Sequence, residues 1–302
     1  MCDEYIGCVA PCTHLRRALA YARLTIVLTV LVLGTSRLAC QQARAGQLFN
    51  LFRPEFDEPA EEDEIETDRD SFTPATTTAG EGLTIVESGY SFIDNRAVVA
   101  THSFPELLVR YGASDWLELR IGWNYEVGGA GNPVSGNVPS GLAEGAGIER
   151  GSKLLYGLKA AITDQEQWLP ESAFILQGFT PTSGEASDTE LSATYVFGWK
   201  LANRWKWDSA LRFSTSSEKL DRFQVWAPST VLKIPLGEKW DVHAEYFGIF
   251  TSGRANESVQ QFFSPGIHYL VTPNLEIGVR VGWGLNAEAP NFFSNAGFGW
   301  RF

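Results

Sequence analysis

Residues 117–126 read LELRIGWNYE, and this stretch decides the fold. Every second side chain is apolar or aromatic, and the side chains between them are charged, amidic or absent. Alternation with a period of two is typical of a β-strand that has one apolar and one polar face. The same pattern recurs in residues 191–200 and 275–285. We therefore predict an all-β structure for residues 83–302.

Counting the alternating segments predicts about twelve strands. They are expected at 83–93, 102–111, 116–127, 152–163, 172–180, 190–201, 205–216, 222–235, 240–250, 259–271, 275–285 and 292–302. Short turns at Gly112–Asp115, Ala202–Arg204, Gly237–Lys239 and Thr272–Asn274 alternate with longer connections, above all 128–151. Tight periplasmic turns, longer external loops and an even strand number are typical of an outer-membrane barrel.

A β-sandwich would show the same alternation, so strand length and aromatic placement decide between the two folds. Many predicted strands reach the roughly 9–11 residues that cross a bilayer when tilted, whereas sandwich strands are usually shorter. Tryptophans at 116, 205, 207 and 240 follow the short turns, as in an aromatic girdle. The fold class predicted is a closed antiparallel up-and-down transmembrane β-barrel.

The last predicted strand ends the chain at Phe302, with its aromatic side chains on one face. Pairing with the first strand would close the sheet and leave no edge in lipid. A terminal aromatic residue resembles the signal read by the barrel-assembly machinery, so we expect Phe302 to be an assembly signal. An ordinary aromatic edge strand is the alternative.

An apolar run at 24–33 follows three arginines and precedes the small-x-small pattern at 43–45. This arrangement predicts a signal peptide over residues 1–45, cleaved near Ala45, and export to the cell outer membrane. Lipoprotein processing at Cys40 is the alternative, although Arg37 occupies a position that normally carries an aliphatic residue. The other cysteines, at 2, 8 and 12, also precede the cleavage point, and a zinc site on them would need a fourth ligand.

Residues 55–70 read EFDEPAEEDEIETDRD, which is too acidic and too poor in apolar residues to build a core. We therefore predict that residues 46–82 form a flexible, exposed periplasmic segment. A solvated linker is the simplest interpretation, and a docking or plug role is the alternative. The net charge of the chain is -12, and the exported part is more acidic still, which excludes nucleic acid as an expected partner.

Two short motifs resemble the family of the MetA pathway of phenol degradation. Residues 66–72 with 82–90 are similar to the opening of that family, and residues 179–184 are similar to its Pro-Thr-Gly element, here with Ser183 inserted. The resemblance implies an outer-membrane barrel with a transporter-like role. It does not imply a particular solute.

If the apolar faces contact lipid, the polar faces line the lumen. Both signs of charge are then present, so opposite charges can pair across the pore and set its width and selectivity. An ion-paired network that merely fills the barrel is an equally open interpretation. The pore-lining residues predicted are Glu118, Arg120, Arg212, Glu276, Arg280, Glu106, Arg110, Lys200, His243 and Glu245.

Metal and catalytic chemistry find little support in the spacing. His243 and Glu245 share a strand face without a third ligand nearby in sequence, so no metal site or cofactor is predicted. Ser264 and His268 lie roughly 13 Å apart along one strand, which is too far for a serine–histidine pair. We therefore expect a non-enzyme with no catalytic residues.

The functional hypothesis is an outer-membrane channel or transporter for small solutes, hydrophobic or aromatic ones included. Its expected partners are outer-membrane lipid, the barrel-assembly machinery and a small-molecule solute. A lipid-acting enzyme remains an alternative, because outer-membrane phospholipases also have twelve strands. A structural envelope protein with a filled barrel is the other.

Overall fold

The computed structural model describes residues 64–136, 147–185, 188–218, 221–254 and 256–302. Within these residues the secondary structure consists of strands and one short 3₁₀ helix at Ala202–Arg204. Among them, no helix is long and apolar enough to cross a membrane. The predicted signal peptide and the first part of the acidic segment, residues 46–63, lie outside the described residues.

The twelve strands confirm the predicted number, with boundaries close to those expected from the alternation. They are β1 (Thr84–Asp94), β2 (Thr101–Ser114), β3 (Leu117–Gly128), β4 (Glu149–Thr163), β5 (Glu171–Ser183), β6 (Glu190–Lys200), β7 (Lys206–Glu218), β8 (Asp221–Pro235), β9 (Trp240–Ser252), β10 (Val259–Thr272), β11 (Leu275–Gly284) and β12 (Phe292–Arg301).

Each strand pairs with its neighbours in sequence, and β12 pairs with β1 to close the barrel. All pairings are antiparallel, and in the closing pair Gly89 lies opposite Gly297. Closure leaves no sheet edge unpaired, which is the condition for a sheet to lie in lipid. The predicted closed up-and-down barrel is confirmed.

Burial in this barrel is the reverse of burial in a soluble protein. On β3, Glu118 is 0 % exposed, whereas Ile121 on the other face is 54 % exposed. Exposed tryptophans follow the turns at the end where the chain enters and leaves the barrel, as Trp116 and Trp240 do. An apolar outer surface with an aromatic rim is the surface expected of a barrel that spans a membrane.

The connections alternate less regularly than predicted. At the end of the barrel that carries the start of β1 and the end of β12, hereafter the inner rim, the connections are 115–116, 164–170, 201–205, 236–239 and 273–274. At the opposite, outer rim they are 95–100, 129–148, 184–189, 219–220, 253–258 and 285–291. The expectation of long outer loops is wrong for 219–220, because the β7–β8 ladder continues to the pair Glu218 and Asp221.

Candidate functional site

The barrel interior is occupied by residues 64–80, here called the plug segment, which has no regular secondary structure. All residues from Thr67 to Thr76 are buried. The prediction of an exposed, flexible segment is therefore wrong for residues 64–80. The acidic side chains pair with cationic side chains of the barrel wall, and these pairs replace the hydration that the carboxylates would have in water.

The plug segment enters and leaves the lumen at the inner rim. The amide of Ile65 donates to the carbonyl of Pro273 at 2.9 Å, and the amide of Gly82 donates to the carbonyl of Gly112 at 2.8 Å. Gly80 and Gly82 have φ values of +84° and +74°, a conformation that favours glycine, where the segment turns into β1. The segment thus makes a loop into the barrel and returns to the same rim.

Asp68 is the centre of the ionic contacts between plug and wall. Its carboxylate lies 2.5 Å from Arg120, 3.1 Å from Lys159 and 3.8 Å from Arg110, and all four side chains are 0 % exposed. Three adjacent strands supply these cations. The same carboxylate accepts a hydrogen bond from the amide of Ala75 at 3.0 Å, which folds the plug back on itself. Buried charges of this kind are stable only when they are paired.

The carboxylates on either side of Asp68 bind a different part of the wall. Glu66 lies 2.7 Å from Lys206 on β7, and Asp70 lies 2.7 Å from Lys233 on β8. The plug segment is thereby tied to strands on opposite sides of the barrel. Such contacts fix its position across the whole lumen.

Arg69 points in another direction, towards the closing pair of strands. Its guanidinium donates to Asn295 at 2.7 Å and lies against Gly89 and Gly297. A Cβ atom built on either glycine would come within 2.4 Å of the guanidinium. The two glycines therefore leave room for the guanidinium of Arg69 against this part of the wall.

The deepest point of the plug segment is apolar. The ring of Phe72 stacks on Phe247 with centroids 4.2 Å apart, and the cluster around it is fully buried. The amides of Phe72 and Thr73 donate to the carboxylate of Glu245 at 2.9 and 2.8 Å. The cluster consists of Phe72, Ile93, Val134, Ala227, Phe247, Phe262, Ala289 and Phe293.

Residues 129–136, here called the loop segment, fold into the barrel from the outer rim and meet the plug. Arg280 donates to the carbonyl of Val134 at 2.6 Å, and Glu106 accepts from Asn132 at 2.6 Å. Gly136 lies so close to the carbonyl of Phe72 that an added Cβ would come within 2.4 Å of it. Among the described residues, the plug segment and the loop segment therefore meet inside the barrel at Phe72.

A cavity of about 760 Å³ lies on the outer-rim side of Phe72, between the loop segment and strands β7 to β9. We call it the vestibule. Phe72 forms part of its lining, with Arg212 4.8 Å above the Phe72 ring. Lys153 and Glu190, which form an ion pair, and the apolar side chains of Ile249 and Val225 line it as well.

The structure places most of the predicted pore-lining side chains inside the barrel. Seven are buried in the interior, namely Glu106, Arg110, Glu118, Arg120, His243, Glu245 and Arg280. Arg212 and Glu276 are partly buried and also face inward, towards the vestibule and the plug respectively. Lys200 is the exception, because it lies at the end of β6 and its side chain is 63 % exposed. A role in lining an open path stays a prediction for all ten.

His243 and His268 form a pair that the spacing within one strand could not reveal. Nδ1 of His243 lies 2.7 Å from Nε2 of His268 across β9 and β10, and both rings are buried. Ser264, on the same strand as His268, instead donates its hydroxyl to the carbonyl of Val281 at 2.9 Å. Ser264 and His268 therefore make their hydrogen bonds to different partners and not to each other.

The polar interior, the apolar outer surface and the closed sheet define an outer-membrane β-barrel with a plugged lumen. The chain belongs to the family described as "Putative MetA-pathway of phenol degradation", whose family model matches residues 67–302. The match includes most of the plug segment, so the plug lies within the family's own sequence pattern. No curated protein sequence matches the chain.

The chain is similar to solved structures at low sequence identity, and the first of those below shares its fold. The outer membrane channel from Pseudomonas putida F1 is 13% identical, with 75% of this chain and 98% of that chain covered and a TM-score of 0.56. The NanC porin is 8% identical over 72% of this chain and 98% of that chain, with a TM-score of 0.48. The KdgM porin is 11% identical over 72% and 99%, with a TM-score of 0.43.

Proposed function

We propose that the protein is a gated passive channel of the outer membrane for small solutes, hydrophobic and aromatic ones included. The observation that carries this proposal is the way the plug is bound. It is a segment without regular structure, tied to the wall through separate ion pairs and hydrogen bonds on β2–β4, β7, β8, β11 and β12. A segment bound in this way can leave the lumen while the strand ladders of the barrel stay intact.

The dimensions of the barrel support a path once the plug is displaced. Barrels of about eight strands are filled by their own side chains, and those of about sixteen hold an aqueous channel. A twelve-stranded barrel lies between these cases, so a segment of chain is the size of object that can fill it. In the open state, Glu118, Arg120, Arg110 and Glu106 would line the path and set its selectivity.

The vestibule supports a solute of modest size with an apolar body. Its volume of about 760 Å³ is within the roughly 300–1,000 Å³ typical of small-molecule sites. Phe72 and Ile249 offer apolar contact, and Arg212 offers a positive charge beside the Phe72 ring. An aromatic or otherwise apolar solute would stack on Phe72 before passing it.

The test is single-channel recording in planar bilayers with the full chain and with a variant that lacks residues 64–78. The deleted segment carries four carboxylates and one guanidinium. We expect the deletion to raise conductance severalfold and to shift selectivity towards anions, because the wall cations lose their partners. Asp188→Asn is the matched control, since it removes one carboxylate from an exposed pair with Arg222 outside the lumen.

Folding of each variant is checked by heat-modifiable gel migration. Asp68→Asn provides a second route to the open state if the deletion does not fold. Folded full-length protein and folded deletion variant that both lack conductance and solute flux in liposomes would contradict the channel. The filled structural barrel, which the dense interior contacts also favour, predicts that result.

A further inference from the structure

Three side chains with metal-binding atoms meet where the plug contacts β10 and β11. The carboxylate oxygens of Asp70 and Glu276 and a ring nitrogen of His268 all lie within 4.8 Å of one another. Asp70 belongs to the plug segment, and the other two belong to the wall. The group therefore joins a displaceable segment to a fixed one.

His268 has a ring nitrogen without a hydrogen-bond partner that faces this group. The residue is 4 % exposed, and its buried Nδ1 makes no hydrogen bond. Nδ1 lies 3.6 Å from Oε1 of Glu276, which is too long for a hydrogen bond. A buried nitrogen in this position has lost its contact with water and gained no protein partner in return.

The second nitrogen of His268 has a hydrogen-bond partner of its own. Nε2 lies 2.7 Å from Nδ1 of His243. If Nε2 carries the proton and donates to His243, Nδ1 keeps its lone pair for an ion held with the two carboxylates. Metal-binding histidines commonly donate their other ring N–H to a second group, which fixes the tautomer and the ring orientation.

Two glycines leave space for the imidazoles. Gly278 is the cross-strand partner of His268, and a Cβ added to it would come within 2.5 Å of Nδ1. Gly266 is the cross-strand partner of His243, and a Cβ there would come within 2.3 Å of the His243 ring. Both rings therefore pack closely against the backbone of a glycine on the neighbouring strand.

We propose that Asp70, His268 and Glu276 bind a divalent transition-metal ion of the Zn²⁺ type that fastens the plug to the wall. One imidazole and two carboxylates form a donor set that suits Zn²⁺, whereas Ca²⁺ and Mg²⁺ prefer oxygen ligands alone. The effect on gating rests on the proposed function, but the binding site itself does not.

The neighbouring contacts are compatible with an ion. Lys233 donates to Oδ2 of Asp70. Oδ1 accepts a hydrogen bond of 3.2 Å from the Ser71 hydroxyl, which also donates to the carbonyl of Thr73 at 2.6 Å, so Oδ1 keeps a lone pair for an ion. Ligand atoms around tetrahedral Zn²⁺ are about 3.3 Å apart for bonds of about 2.0 Å. Glu276 is 14 % exposed and can close that distance by side-chain rotation, and it also gives the ion a route from the inner rim.

The binding test uses the full chain in detergent, with Cys2, Cys8, Cys12 and Cys40 replaced by serine so that thiols cannot bind metal. After chelator treatment, Co²⁺ is titrated while visible absorption is recorded, and Zn²⁺ is then added. We expect one equivalent of Co²⁺ with intense visible bands, displaced by one equivalent of Zn²⁺. His268→Ala and Glu276→Gln should each weaken binding at least tenfold.

His102→Ala is the matched control, because His102 is exposed on the outer surface, where it contacts Tyr90. Its binding should equal that of the parent protein. Absence of saturable binding by folded protein, or binding that survives both His268→Ala and Glu276→Gln, would overturn the site. Heat-modifiable migration confirms that each variant is folded.

The link between metal and plug is tested with a thiol reporter, Thr76→Cys, in the same cysteine-free background. Thr76 is 1 % exposed inside the plug and contacts Glu171 rather than a proposed ligand, so a maleimide reacts with this position only when the plug moves. Zn²⁺ should slow the labelling at least fivefold in the reporter protein and not in its Glu276→Gln variant. Stoichiometric binding with unchanged labelling would overturn the fastening role. The assay needs no conductance, so it fails or succeeds independently of the channel test.

Discussion

The plug segment is held in two places by different physical interactions. Around Asp68 the contacts are ionic, with Arg110, Arg120 and Lys159 gathered on one carboxylate. Around Phe72 they are apolar and aromatic, with Phe247 and Val134 as neighbours. The two regions belong to the same short segment and are equally buried.

The difference shows how a barrel can be closed tightly and still open. Apolar packing stabilises by the area removed from water and involves no charges for salt to screen. Paired charges in a polar lumen stabilise much less overall, because each pair must offset the loss of hydration, but breaking one leaves unpaired partners behind. The contacts around Phe72, hereafter the apolar apex, therefore position the plug. The contacts around Asp68, hereafter the ionic region, make the release of the plug sensitive to charge.

The largest effect is expected from Asp68→Asn, measured as the labelling rate of the Thr76→Cys reporter. Removing one partner of a buried ion pair costs about 3–5 kcal/mol, which corresponds to at least about a hundredfold more plug opening. Asp188→Asn, which changes the same charge on the surface, should leave the rate unchanged. A change below tenfold in the Asp68 variant would show that the ionic region does not hold the plug.

A smaller effect is expected from Phe72→Ala in the same assay. Phenylalanine truncation in a core costs about 3–5 kcal/mol, and the cost here should be about 2 kcal/mol because Phe72 already borders the vestibule. Labelling should rise about thirtyfold. Phe223→Ala removes another phenylalanine that lines the vestibule and should have no effect. Equal effects of Phe72→Ala and Phe223→Ala on the labelling rate would exclude a specific role for the apolar apex.

The barrel wall could be predicted from the sequence, because lipid on one side and a polar lumen on the other impose a strict alternation. Residues 117–126 show this most clearly, and β3 was found at Leu117–Gly128. The predicted closing strand also pairs with β1 as expected. The alternation within one segment is sufficient to predict a strand when the same two environments, lipid and lumen, flank it along its whole length.

The plug could not be predicted in the same way, because composition near Asp68 fits either a hydrated tail or a partner for distant cations. The cations that pair with Asp68 and Asp70 lie 42 to 163 positions further along the chain, from Arg110 to Lys233. One signal was present: the predicted lumen carried more basic than acidic side chains, while Glu66, Asp68 and Asp70 recur at every second position. The complementary charges of the basic lumen and the acidic segment indicate that the segment lies inside the barrel.

A modest effect is expected from ionic strength, which should act on the ionic region alone. Raising salt from 0.1 to 1 M shortens the screening length from about 10 Å to about 3 Å, with less effect on buried pairs. We expect two- to fivefold faster labelling of the reporter at high salt and the same acceleration in Phe72→Ala. In Asp68→Asn the acceleration should be smaller, because only the ion pairs of Glu66 and Asp70 then remain to be screened. Equal acceleration in all three proteins would place the salt effect outside the Asp68 contacts.

The smallest effect is expected from Glu64→Gln at the inner rim. Glu64 pairs with Arg204 at 3.3 Å, but the two side chains are 36% and 34% exposed. Exposed ion pairs contribute about 0–1 kcal/mol, so labelling should change less than about fivefold. Asp68 and Glu64 carry the same charge on one segment but differ in burial. The ratio of the labelling rates of Asp68→Asn and Glu64→Gln therefore compares a buried ionic contact of the plug with an exposed one. A tenfold or larger effect of Glu64→Gln would instead place the ionic hold at the rim.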